Sequence, residues 1–213
     1  MTSSAERLVA EYGLTSASRT PGIREYLSQT WKRRDFVREL ALAGSTAQYS
    51  DSLLGRVWQV ITPILNAGIY YVIFGVLLGT KRGIENYPAF LIAGVFAFNY
   101  MQTAFTSSEA ALPRNVKLME AVHFPKLVLP LAVAFQQLQQ YLVAIGVLMV
   151  AVLLTGEPIT VMWLALPATI VMQVFFTLGI SLGIARVGAK SRDLGQLLPF
   201  ITRSWRYASG VFF

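Results

Sequence analysis

Arg203 and Arg206 are the side chains of this sequence most suited to chemistry, because they sit inside an otherwise apolar run over 195–213. A cation among apolar neighbours is costly, so its presence asks for a function or a partner. Three positions apart, the two guanidiniums share a helical face. Together they suit a phosphate or pyrophosphate on a passing substrate. The structural alternative is a re-entrant or interfacial turn with both side chains reaching for water. Tyr70 and Phe74, four apart in another apolar run, form an aromatic stripe. Such a stripe packs on lipid and neighbouring helices, or stacks loosely on the flat face of a sugar ring. A third cluster, Trp31, Arg33, Arg34 and Arg38, is interleaved with Phe36 and Leu40. Basic residues mixed with Trp and Phe suit a helix lying in the membrane interface.

Other chemistry is excluded by what is missing. The sequence has no G-x-x-x-x-G-K-[ST] phosphate loop and no H-E-x-x-H. It has no cysteine and a single histidine, His123, so thiolate sites and paired-histidine metal sites are out. Glu109, Glu120 and Asp193 are the carboxylates between the spans on the inner side, and none has a metal-ligand spacing. No catalytic residue, no metal and no bound cofactor are expected on this chain. Glu109 reads as a solvated carboxylate at the inner end of a span.

These side chains belong to a membrane protein. Of 213 residues, 54% are hydrophobic and only 14% charged, and the mean hydropathy is +0.53. Average soluble domains carry roughly 25% charged residues, so too little polar surface remains to cover a soluble globule. The formal net charge of +7 is explained by cations flanking membrane spans, not by nucleic-acid binding.

The fold class expected is all-α: an amphipathic interfacial helix followed by five transmembrane helices. Residues 1–29 form a polar cytoplasmic tail, 30–48 the interfacial helix and 49–213 the membrane domain. The spans fall at 57–79, 88–108, 127–154, 159–187 and 195–213. Arg33-Arg34 has the look of a twin-arginine signal, but the segment behind it is too polar for one. Gln136, Gln137, Gln139 and Gln140 interrupt the third span; in hydrocarbon these amides must face protein or water. Between the second and third spans, 113–125 reads as a short helix bounded by Pro113 and Pro125, with Val116, Met119 and Val122 on one face. Lys32, Arg33, Arg34, Arg38 and Arg56, then Arg114, Lys117 and Lys126, then Arg186, Lys190 and Arg192 fall on one side of the membrane; Lys81 and Arg82 fall on the other. This bias places the N-terminus in the cytoplasm, and the localisation expected for the multi-pass chain is the inner (plasma) membrane.

Four stretches in order carry a resemblance. They are Tyr49 to Pro63 with Leu54-Gly55 and Trp58; Tyr87-Pro88-Ala89-Phe90-Leu91 with Gly94; Asn115 and Leu118 with Phe124-Pro125-Lys126 and Leu129-Pro130-Leu131; and Arg192-Asp193-Leu194. Together they resemble the permeases of ABC-type polysaccharide exporters, the family that exports O-antigen, teichoic acid and cell-wall glycans. The resemblance covers residues 30–213. Gln48 stands where that family often has a basic residue. The family also continues through short external helices to a sixth span, so a C-terminal part beyond residue 213 is expected.

The resemblance implies a transport subunit without its own ATPase. Two copies of the chain would pair, and two ATP-binding cassette subunits, carrying ATP and Mg, would dock on the cytoplasmic side. The 113–125 helix would be the coupling helix, with Val116, Met119 and Val122 in a cleft of the ATPase and Arg114 or Lys117 fixing its register. A lipid-linked polysaccharide would move outward between the first and fifth spans, past Tyr70, Phe74, Arg203 and Arg206. The cluster Trp31, Arg33, Arg34 and Arg38 would attract a headgroup among the membrane lipids. The alternatives are a permease for a drug or lipid, a membrane-embedded glycan-lipid transferase, and a non-transporting scaffold or channel subunit.

Overall fold

The computed structural model describes residues 22–77, 86–122, 124–154, 160–191 and 193–209; the side chains of Ile23 and Met162 are not described. Residues 1–21 of the tail expected over 1–29, the loop cations Lys81, Arg82 and Arg192, His123, the turn at 155–159 and the end of the fifth run at 210–213 lie outside these residues. The described residues are helical, with no strand among them.

Among the described residues two helices precede the spans: α1 (Ile23–Lys32) and α2 (Arg34–Ala47). The single interfacial helix expected over 30–48 is therefore two helices, and the first begins earlier. The Thr30 hydroxyl donates to the Tyr26 carbonyl at 2.9 Å. Back-bonding of this kind loosens and bends a helix, and the break follows at Arg33. A turn at Gly55, with φ of +50°, leads into the first span; that backbone conformation suits glycine.

Among the described residues four helices are long and apolar enough to cross a membrane: α3 (Gly55–Leu77), α4 (Tyr87–Glu109), α7 (Val128–Leu154) and α8 (Ala165–Gly188). They overlap the first four expected spans, the fourth starting at Ala165 rather than at 159, and the chain is an all-α integral membrane protein. Helix α3 holds the buried Pro63 and ends in a π-helical turn over Tyr71–Leu77; both features bend a helix. The start of α4 is capped by Asn86, whose side-chain oxygen accepts from the Ala89 amide at 3.3 Å. The 27 residues of α7 measure about 40 Å, longer than the hydrocarbon core, which tilt accommodates.

The fifth apolar run forms α9 (Leu194–Ala208), 15 residues with Pro199 inside. That length is about 22 Å, short of a bilayer core of about 30 Å. Between α4 and α7 lie α5 (Ala111–Arg114) and α6 (Val116–Ala121).

Helix α4 is the centre of the bundle. It packs on α3, α7, α8 and α9, most extensively on α7 and α8. Its Ile92, Phe96 and Tyr100 meet Tyr141, Ile145 and Leu148 of α7. The Tyr100 and Tyr141 rings stack at 4.6 Å. On another side, Phe98, Met101 and Phe105 pack on Ile180 and Ile184 of α8. Small residues bring α4 and α8 close: Ser108, Thr177 and Ser181 are fully buried, as transmembrane crossings favour. At the end of this crossing, Gly188 lies so near α4 that a Cβ there would stand 2.6 Å from the Glu109 carbonyl oxygen.

Candidate functional site

The spans enclose a polar seam between α3, α4 and α7. A cavity of about 220 Å³ is bordered by Gln59 and Asn66 of α3, Asn99 and Thr103 of α4, and Gln137 and Gln140 of α7. A second cavity, about 450 Å³, shares Thr103, Gln137 and Gln140 and reaches Gln48, Arg114 and Asn115. The expectation that the glutamine cluster faces protein or a polar space holds. Gln136 and Gln140 both donate to the side-chain oxygen of Gln48, at 3.3 and 2.7 Å. The Ser45 hydroxyl donates to Gln139 at 3.3 Å. The end of α2 therefore satisfies the amides of α7, and Gly44 allows the approach: a Cβ there would meet Gln136 at 2.7 Å. Tyr49 borders the smaller cavity, and partial burial pushes its phenol above the ordinary value of 10.0. It stays a neutral hydroxyl at neutral pH.

The segment expected as one helix over 113–125 is instead α5 and α6, separated at Asn115. The Asn115 side-chain amide donates to the Ala111 carbonyl at 2.8 Å, replacing the helical pattern with a local bond. Val116 and Met119 share the face of α6, Val116 exposed and Met119 half-buried. Val122 is exposed but extended, with φ −131° and ψ 128°, so it is not on that helical face. Arg114 and Lys117 are exposed, and Arg114 borders the larger cavity. Glu109, expected as a solvated carboxylate, is half-buried. Its carboxylate lies about 3.0 Å from where a Gly195 Cβ would stand, near the N-terminal end of α9, where a negative charge is favoured.

The two arginines differ in their surroundings. Arg206 is half-buried and Arg203 exposed. The Arg206 guanidinium donates to Asn99 at 2.9 Å and also to Gln102. It lies 5.2 Å from the Phe98 ring centre. Arg206 thus fastens α9 to α4, and Trp205 beside it packs on Phe98, Phe105 and Phe176. Hydrogen bonds from a charged donor contribute about 1.5–3 kcal/mol each. Arg206→Met is therefore expected to lower the thermal midpoint of the detergent-solubilised protein by several degrees, with Arg203→Met near wild type. Equal effects at both positions would contradict this division.

Tyr70 and Phe74 also face inward. Their rings stack at 6.4 Å, and Phe74 meets Tyr87 at 6.3 Å. They join α3 to Leu91 and Val95 of α4. In the single chain both are half-buried packing residues. Trp31, Arg33, Arg34 and Arg38 are all exposed, and the Arg34 guanidinium lies 6.0 Å from the Trp31 ring. Among the described residues no group of three His, Asp or Glu side chains is placed to hold a metal. The residues that sequence reasoning missed are the partners: Gln48 for the glutamines, Asn99 and Gln102 for Arg206, and Gly188 for Glu109.

Comparison with known proteins agrees with this architecture. The chain is 31% identical over 171 residues to the O-antigen export system permease protein RfbA of Klebsiella pneumoniae, covering 77% of this chain and 65% of that protein. A second Klebsiella pneumoniae protein of that name is 30% identical with the same coverage. The protein so named from Myxococcus xanthus is 25% identical over 167 residues, covering 78% of this chain and 64% of its own length. This chain therefore spans a little under two thirds of these relatives. Residues 37–213 match the ABC-2 type transporter family, which takes in all four spans, the α5–α6 segment and α9. A multi-pass α-helical membrane protein with that match belongs to the ABC-2 type transporter family.

Proposed function

We propose that this chain is the membrane-spanning subunit of an ATP-driven exporter that moves a lipid-linked polysaccharide outward across the inner membrane. The observation that carries the reading is the family match over residues 37–213, joined to relatives named as O-antigen export permeases. The N-terminus and the α5–α6 segment lie in the cytoplasm, on the side rich in Lys and Arg.

In this reading two copies of the chain pair, and each engages an ATP-binding cassette subunit that holds ATP and Mg. Helix α6 seats in a cleft of that subunit through Val116 and Met119. Arg114 and Lys117 set its register by charge. ATP closure pushes α5–α6. The push reaches the spans at Glu109, where α4, α8 and α9 meet. The polar seam beside α3 and the bends at Pro63 and Tyr71–Leu77 give α3 a place to move. Exposed Arg203 is the cation available to a phosphate on the substrate. Tyr70 and Phe74 reach a moving glycan only after α3 shifts away from α4.

The test is affinity purification of the tagged full-length gene product from detergent extract, followed by an ATPase assay of the eluate. Co-purification of an ATP-binding cassette protein with ATPase activity is expected. An intact chain that brings down no ATPase would overturn the reading.

A further inference from the structure

A groove of about 890 Å³ separates the α1–α2 pair from α7 and α8. Its apolar walls are two stripes at helical spacing: Leu131, Ala134 and Leu138 on α7, with Leu127 in the turn just before it, and Val174, Leu178 and Leu182 on α8. From Leu131 to Leu138 the α7 stripe runs about 10 Å along the helix. The opposite edge is charged: Arg34 and Arg38 border the groove, together with Asp35 and Trp31. Neither guanidinium has a carboxylate partner among the described residues; Arg34 lies 6.0 Å from the Trp31 ring. The groove shares only Tyr100 with the smaller cavity of the polar seam and nothing with the larger one, so it is a separate place in the molecule. It is held in shape by contacts between the α1–α2 pair and the turn that leads into α7. The Leu127 amide donates to the Tyr26 hydroxyl at 3.2 Å, and the Phe36 and Phe124 rings meet edge-on at 5.4 Å.

We infer that this groove is a binding site for an anionic phospholipid of the surrounding leaflet. An apolar trough open to a bilayer fills with acyl chain, because lipid is the solvent there. The arginines above it supply the second recognition element. Guanidinium is the group that meets a phosphate with two parallel hydrogen bonds. Two arginines against one aspartate leave net positive charge where a headgroup would lie, and exposed Arg33 adds to it. Trp31 has the amphipathic ring that belongs at headgroup level. The bound lipid would wedge α1–α2 against the spans, so its loss loosens the helices that satisfy the α7 glutamines through Gln48. This inference does not depend on the transport reading.

The test is native mass spectrometry of the full-length protein, purified in detergent and titrated with phosphatidylglycerol or phosphatidylcholine of matched chains. The wild type is expected to retain phosphatidylglycerol about tenfold better, as two arginines near a headgroup allow. Arg34→Gln with Arg38→Gln is expected to remove that preference. Arg34→Lys with Arg38→Lys, which keeps the charge, is expected to preserve most of it. Leu178→Trp, which fills the trough, is expected to reduce retention of both lipids. Arg56→Gln, a cation outside the groove, is the control and should behave as wild type. Equal retention of the two lipids by wild type overturns the inference. So does an unchanged preference in the double glutamine variant, or a change of oligomeric state rather than of lipid retention in Leu178→Trp.

Discussion

Gly188→Leu is expected to leave no recoverable folded protein, and Gly188→Ala to lower the thermal midpoint in detergent by several degrees. The reason is backbone geometry. A Cβ at Gly188 would stand 2.6 Å from the Glu109 carbonyl oxygen and 3.1 Å from its Cα. A flexible side chain would swing away; a helix backbone has to move as a unit. Overpacking a tight site costs about 1–3 kcal/mol when neighbours adjust, against a total stability of about 5–15 kcal/mol. Leucine adds three more carbons in the same direction, so α4 and α8 must part. Gly195 is the comparison. Its nearest neighbours, at 3.0–3.1 Å, are the side-chain carboxylate atoms of Glu109, which can rotate. Gly195→Ala is expected to be tolerated. Thermal unfolding followed by size-exclusion fluorescence separates the cases, and a stable Gly188→Leu protein would show that the α4–α8 crossing is looser than described.

Val116→Glu and Met119→Glu are each expected to abolish association with the proposed ATPase while the permease itself stays folded. Both side chains lie on α6, Val116 exposed and Met119 half-buried, so neither substitution strips a core. In the proposed interface each would bury an unpaired carboxylate, which costs several kcal/mol and so weakens binding by roughly a hundredfold or more. Val122→Glu is expected to have a smaller effect, because Val122 is extended and off the α6 face. A profile in which all three positions matter equally would favour a continuous coupling helix instead. Quantitative co-purification with the wild-type permease as reference is the measurement.

The spans were readable because their signal is local. Length and hydropathy locate a membrane helix, and four expected spans overlap α3, α4, α7 and α8, the last beginning at Ala165 rather than at 159. The glutamine cluster was readable as a demand: four amides in one span need partners. The identity of the partner was not, because Gln48 lies 88 residues from Gln136, and no periodicity reports such a contact. Arg203 and Arg206 show the same limit. Their spacing places them near one another, but the Asn99 and Gln102 acceptors that engage only Arg206 lie more than a hundred residues earlier. The breaks at Arg33 and Asn115 lie beside side-chain-to-backbone bonds of Thr30 and Asn115, which apolar spacing does not encode. Tyr70 and Phe74 read first as packing residues and second as a path; in the single chain they pack.

The central claim is glycan export, and the most direct measurement is the location of the glycan in cells that lack this gene. Surface polysaccharide and lipid-linked glycan inside the membrane would be quantified in a deletion strain of the native host, with and without the gene restored. The account predicts loss of surface polysaccharide, accumulation of completed lipid-linked chains on the cytoplasmic side, and recovery of both by the wild-type gene but not by Met119→Glu. Normal surface polysaccharide in the deletion strain, or absence of the completed lipid-linked glycan altogether, would contradict it; the second result would instead point to a step in glycan assembly.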